Sequence, residues 1–208
     1  MSRIVVAALS ALFSVGCASG PALPGGNPQP AEETARTRGQ QQLVPPGYGT
    51  LKQDEVTVSL RSGPLLVKAT PLDEVVIRLL APDTYDRLHA LAESRRSAAA
   101  RSATTAAPAL FLVSFFSYQP DIAFQPEDLQ LTHQGRLVRA ATIVPITNGF
   151  GRQRLAQQES QTAIYVFDAR IDYEQPIVVR YGFEESNEWS RIIPKLEVER
   201  ARVRAQVR

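Results

Sequence analysis

The sequence predicts a mainly β head: an antiparallel β-sandwich with an inserted helical pair and a C-terminal helix. Three observations lead there. About seven short segments between Val56 and Phe183 either alternate apolar with polar residues or run apolar on both faces, with turn residues separating them. Only two stretches, about 70–100 and the region after Trp189, take up a helical period. The chain is 44% hydrophobic, enough for one core in 208 residues, and its single cysteine leaves no disulfide to supplement that core.

The head opens with Glu55 to Leu60, where Val56, Val58 and Leu60 share one face at the two-residue period of a half-buried strand. Arg61-Ser62-Gly63-Pro64 is turn chemistry, and Leu65 to Ala69 forms the second arm of a hairpin. The period then changes. Thr70 is placed to accept from free helix amides, Pro71 suits a first helical position, and Asp73 and Glu74 complement the positive helix end, so a short helix is predicted to about Leu80. Pro82 stops it and Asp83 caps a second helix, in which Tyr85, Leu88, Leu91 and Ala92 recur at three- and four-residue intervals. Ser97 to Pro108 is low in complexity and reads as a surface loop, whose alanines would extend the helix by a turn or two.

Leu110 to Phe116 is apolar on both faces, as a strand covered on both sides must be. Pro120 and Pro126 bracket a loop around Phe124, and the segments 128–132 and 137–146 flank a turn at Gln134-Gly135. Thr147 to Gly151 is a loop that leads into polar sequence ending near Gln161. Thr162 to Phe167 is again apolar on both faces, and Ile177, Val179, Tyr181 and Phe183 then alternate. The terminal helix tolerates Pro194 in its first turn and carries a stripe of Ile193, Leu196, Val203 and Val207, interrupted by Arg200.

Upstream of the head, Met1-Ser2-Arg3 supplies one positive charge and Ile4 to Val15 an apolar run, too short for the roughly 20 residues that span a bilayer. Gly16-Cys17-Ala18-Ser19 follows, with Cys17 the sole cysteine. This N-terminus resembles a bacterial lipoprotein signal peptide, with Ser14 where leucine is commonest. The resemblance implies cleavage after residue 16, acylation of Cys17, and a membrane partner reached through that lipid. Because Ala18 rather than an aspartate follows the cysteine, it also implies an outer-membrane lipoprotein of the cell envelope. An ordinary signal cleaved near Ala18 or Gly20 is the alternative. Residues 17–49 are rich in proline and glycine and read as a flexible tether, leaving 50–208 as one domain.

Ala163-Ile164-Tyr165-Val166-Phe167 is similar to the immunoglobulin-like strand that carries the tyrosine corner, with Phe167 standing where antibody domains have a core cysteine. The likeness implies an immunoglobulin-like arrangement of the sandwich and nothing about activity.

A formal charge of +2 gives no reason to expect nucleic acid as a partner. His89 and His133 lie in different elements and read as solvent-facing, although Asp86 and Glu93 stand one turn either side of His89. Ser114 and Ser117 lack a nucleophile elbow. In Gly149-Phe150-Gly151-Arg152-Gln153-Arg154, loop glycines and the forked donors of Arg152 and Arg154 make a candidate anion-binding pair. Glu184, Glu185 and Glu188 lack the oxygen spacing of a calcium loop. The reading is therefore a lipid-anchored envelope protein whose head binds or scaffolds another protein or envelope polymer, with no cofactor, metal or catalytic residue assigned. The alternatives are an envelope hydrolase or lyase using carboxylates such as Asp121, Glu127 or Asp168, and an accessory lipoprotein of a secretion or pilus assembly.

Overall fold

Tight turns and one bulge set the course of the sheet in the computed structural model, which describes residues 43–105 and 107–207. Strands β1 (Val58–Ser62) and β2 (Leu65–Pro71) reverse through Gly63-Pro64, with Ser62 opposite Leu65. Next come β3 (Ala109–Ser117), β4 (Ile122–Ala123), β5 (Leu129–His133) and β6 (Arg136–Pro145). They are followed by β7 (Arg154–Leu155), β8 (Ser160–Phe167), β9 (Ile177–Tyr181) and β10 (Glu184–Ser186). Between β5 and β6, Gln134 and Gly135 both have positive φ, 51° and 73°, as a two-residue primed turn requires.

Eight strands form one antiparallel sheet in the order β1-β2-β3-β8-β6-β5-β9-β10, while β4 and β7 make a separate ribbon. The start of β6 pairs with β5, from His133 opposite Arg136 to Gln130 opposite Arg139. Its end pairs with β8, from Ala140 opposite Phe167 to Pro145 opposite Ala163, after a register shift between Ala140 and Thr142. A bulge bends a strand and increases its twist, so the sheet turns a corner here. The curled sheet brings β1 back alongside β9 and β10. Among the described residues no backbone hydrogen bond joins β1 to β10, so the barrel is nearly closed and keeps one open seam.

The core fills the curl. Register places Val67 and Ala69 of β2, Phe111, Val113 and Phe115 of β3, and Ala163, Tyr165 and Phe167 of β8 on one shared face, and all are buried. Each large apolar side chain taken fully out of water contributes about 1.5–3 kcal/mol. Phe115 stacks on Phe124 at 4.6 Å, and Phe124 meets Phe150 edge-on at 5.4 Å. The connections around Phe124 and Phe150, which polar neighbours make look like free loops, are thus pinned into the core. On the other face of β3 and β8, Leu110, Leu112, Ile164 and Val166 are also buried, in accord with their two-sided apolar pattern.

The helical pair is α1 (Glu74–Ile77) and α2 (Pro82–Ser102). Asp73 caps α1 by accepting from the Val75 amide at 2.9 Å. The predicted cap, Thr70, and Pro71 remain in β2, opposite Leu112 and Phe111. The sheet tolerates Pro71 because β1 begins only at Val58, opposite Ala69, so no neighbouring strand there needs the missing N–H. Pro82 opens α2 rather than only ending the helix before it, Asp83 lies inside the first turn, and the helix runs on through the alanine tract.

The last helix, α3 (Trp189–Val207), buries Trp189, Ile192, Leu196, Glu199, Arg200 and Val203. Arg200 therefore belongs to the buried stripe, where its Nη1 donates to Glu174 Oε1 at 2.8 Å, while Val207 is exposed. Pro194 lies beyond the first turn, inside the helix. Trp189 donates from Nε1 to the Tyr173 carbonyl at 3.1 Å, and the Tyr173 ring sits 6.2 Å from Phe111, so the start of α3 stoppers one end of the barrel.

Residues 43–49, the end of the proline-rich segment, lie against this head. Val44 is buried, and the Leu51 amide donates to Leu79 at 3.1 Å while the Ala81 amide donates back to Leu51 at 2.9 Å. Residues 1–42, including Cys17 and most of the tether, lie outside the described residues.

Candidate functional site

An edge strand presents unpaired backbone groups, and proteins normally cover, shorten or charge such edges. The seam between β1 and β10 follows that logic. The Ser59 amide points away from β2 and donates to Glu188 Oε2 at 2.8 Å, so a carboxylate from the turn before α3 occupies the place of a strand carbonyl. Alternation turns the in-plane groups of Arg61 the same way. A cleft of about 340 Å³ lies along this seam, lined by Ser59 and Arg61 from β1 and by Ser186, Asn187, Glu188 and Arg191 from the far side. Arg61 and Arg191 are exposed, and among the described residues neither guanidinium has a carboxylate or other hydrogen-bond partner. Forked guanidinium donors fit carboxylates and phosphates, so the cleft offers anion recognition beside the edge of β1.

A second polar cluster ties α1 to α2. Glu74 Oε2 accepts from Arg78 Nε at 2.5 Å and from the Tyr85 hydroxyl at 3.4 Å, while Oε1 lies 2.6 Å from His89 Nδ1. The Tyr85 and His89 rings stack at 5.2 Å. Burial by itself would raise the proton affinity of Glu74, but the hydrogen bonds and charge of Arg78 and His89 outweigh it and hold the carboxyl below its ordinary value. The sequence reads His89 as solvent-facing, with Asp86 and Glu93 as ordinary acids one turn either side, whereas the ring is partly buried and engaged. The partner is Glu74, 15 residues upstream, and Glu93 pairs with Arg96 instead. The short turn between α1 and α2 brings these residues together, a signal that spacing along one helix cannot carry.

His133 is buried rather than solvent-facing. Its Nε2 lies 3.2 Å from the Asp172 carbonyl and 3.3 Å from the Asp172 amide, so it fastens the turn before β9. Arg152 Nη2 pairs with Glu159 at 3.1 Å and Arg154 with Asp121 at 2.5 Å, so the two predicted anion-binding guanidiniums are each engaged by a different carboxylate. Asp168, at the end of β8, accepts from the Thr104 hydroxyl and from the amides of Thr104 and Thr105. Those hydrogen bonds hold its carboxyl far below the usual range. Asp121 follows the opposite end of the neighbouring β3, so these two acids serve separate loops. Glu185 pairs with Arg180 at 3.6 Å while Glu188 turns to Ser59.

Among the described residues there is no group of three or more His, Cys, Asp and Glu side chains positioned to hold a metal ion, and no helix is long and apolar enough to cross a membrane. No protein-family model, curated protein or solved structure matches the chain.

Proposed function

We propose that the chain is a lipoprotein of the bacterial outer membrane, anchored through Cys17, whose head binds or scaffolds another envelope macromolecule. The signal-like N-terminus supports the anchor. The observation that carries the binding role is the open seam, where an unlaced strand edge and two unpaired guanidiniums face one cleft. At a finer level the curled sheet reads as two layers: β1, β2, β3, β8 and the end of β6 in one, and the start of β6 with β5, β9 and β10 in the other. The change of partners at the β6 bulge supports this, since strands commonly pass between the sheets of a sandwich at such bends. The immunoglobulin-like variant draws less support from Tyr165. Its hydroxyl donates to the Pro126 carbonyl, 39 residues upstream, where a tyrosine corner uses backbone a few residues away.

Two measurements test the proposal. Cys17→Ser should move the protein from the membrane pellet to the soluble fraction, and unchanged fractionation would count against the anchor. Crosslinking and co-purification from detergent-solubilised envelopes should recover a stoichiometric partner, and recovery of the chain alone under all conditions would remove the binding role.

A further inference from the structure

We infer that the cleft beside β1 binds a neutral oligosaccharide, a short run of sugar residues from an envelope polysaccharide, with the exposed aromatic pair Phe116 and Tyr118 as a stacking platform. The inference rests on the binding reading above and specifies its ligand class. Because β9 and β10 already lie alongside β1, there is no room for a further strand; the occupant lies across the outer surface and leaves Glu188 on the Ser59 amide. Three features favour a sugar. First, Arg61 stands on one side of the cleft and Asn187, Glu188 and Arg191 on the other, so guanidinium, amide and carboxylate groups converge on about 340 Å³. Each is a planar group offering polar atoms at fixed spacing, which matches a pair of adjacent hydroxyls that both donate and accept. Second, the charges nearly cancel. Arg61 and Arg191 taken alone fit an anion, but Glu188 shares the cleft with them and Glu184 and Glu185 precede it on β10. A carboxylate or phosphate meets those acids, whereas a neutral polyol meets no like charge. Third, the cleft runs onto an aromatic surface. Leu66 lines it, and register sets Phe116 of β3 directly opposite Leu66 on the same outward face, about 5 Å away. Tyr118 is 61% exposed and meets the Phe116 ring edge-on at 4.6 Å. A pyranose ring presents C–H groups on its face and hydroxyls around its edge, so the aromatic pair and the polar cleft take complementary parts of one sugar chain.

Each competing occupant leaves part of this surface unused or opposed. Inorganic phosphate or a lipid headgroup engages the arginines and leaves Tyr118 in water, and an acidic peptide is repelled by the glutamates. A neutral sugar uses both regions, and its binding changes little with salt because no net charge is neutralised. The sign of one perturbation separates the readings. Glu188→Gln keeps an oxygen for the Ser59 amide but replaces a charged acceptor of sugar hydroxyls, so it weakens a neutral sugar, whereas it would strengthen the binding of any anion.

The test uses the full-length protein in micelles of a detergent without a sugar head group. Amide NMR shifts are followed during titration with cellotetraose, maltotetraose and tetra-N-acetylchitotetraose, three neutral sugars that differ in linkage and substitution. At least one should bind, with shifts at Ser59 to Arg61, at Ser186 to Arg191 and at Tyr118, and its affinity should change less than about twofold between about 50 and 500 mM sodium chloride. Tyr118→Ala, Asn187→Ala and Glu188→Gln should each weaken that sugar about threefold to tenfold, and Tyr118→Phe, which keeps the ring, should bind like the parent. Near-ultraviolet circular dichroism confirms that every variant is folded. Binding of none of the three sugars at about 10 mM, or shifts confined to another part of the head, would overturn the inference. Displacement of the sugar by inorganic phosphate or by phosphatidylglycerol added to the micelles, or tighter binding by Glu188→Gln, would reduce the cleft to an anion patch and overturn it as well. Recovery of a protein partner by crosslinking, for a chain that binds no sugar, would overturn the inference alone and leave the broader binding role standing.

Discussion

Replacing Gly49 with alanine asks how firmly the segment entering the head is held. Gly49 passes so close to the turn after α1 that an added β-carbon would lie 2.5 Å from the Leu80 carbonyl oxygen and closer still to the Leu79 carbonyl. Ordinary contact begins near 3.4 Å, so the two backbones must separate by about 1 Å or more. Neither neighbour is a flexible side-chain tip, so movement is the only relief. Overpacking of this kind costs about 1–3 kcal/mol. The shift also threatens the bonds from Leu51 to Leu79 and from Ala81 to Leu51, each worth about 0.5–1.5 kcal/mol net. The combined expectation is about 2–6 kcal/mol. In a protein of this size about 3 kcal/mol lowers the melting temperature by roughly 6–12 °C. Urea unfolding followed by intrinsic fluorescence gives the free energy, with an unchanged slope showing that the unfolding transition is the same. A Gly49→Ala protein within about 0.5 kcal/mol of the parent would refute the close approach and detach residues 43–50 from the head.

Other consequences follow from buried polar contacts. Tyr165→Phe removes the donor to the Pro126 carbonyl and should cost about 1–3 kcal/mol in urea unfolding, whereas a neutral effect would mean that bond is not made. Glu74→Gln should destabilise the protein by about 1 kcal/mol at neutral pH by weakening the contacts with Arg78 and His89. Because the folded carboxyl sits below its unfolded proton affinity, its contribution is whole above the ordinary glutamate range near pH 4.3 and is lost as pH falls through the lower folded value. The difference between parent and variant should therefore shrink from pH 7 to pH 3. A difference constant across that range would show that the charge of Glu74 is not what matters. For the same reason the contact of Asp168 with Thr104 and Thr105 should loosen only in strong acid, visible as faster amide exchange at those residues.

Much of the sheet was legible because burial imposes a period. The alternation of Ile177, Val179 and Tyr181 and the two-sided apolar runs of β3 and β8 each reported how many faces of a strand are covered. Gln134-Gly135 announced its turn because its backbone angles favour such residues. What failed was decided by tertiary pairing. Pro71 looked like a helix start, and only the length of β1 makes it acceptable in β2. Arg200 broke an apolar stripe on paper, yet Glu174 lies across the sequence to receive it. Phe124 and Phe150 sat among prolines, glycines and polar residues, and nothing local shows that both reach Phe115. The seam was invisible for a similar reason. Ser59, Arg61, Glu188 and Arg191 are ordinary surface residues in sequence, and they become a site only because the curl of the sheet returns β1 to β10.

Residue-resolved amide exchange along β1 tests that curl and its gap most directly. The account predicts strong protection at Leu60, whose amide faces β2, and near-solvent exchange at Arg61, whose amide faces the gap. Arg61 as protected as Leu60 in the free protein would mean that β1 and β10 are already laced together, and the open seam would not exist.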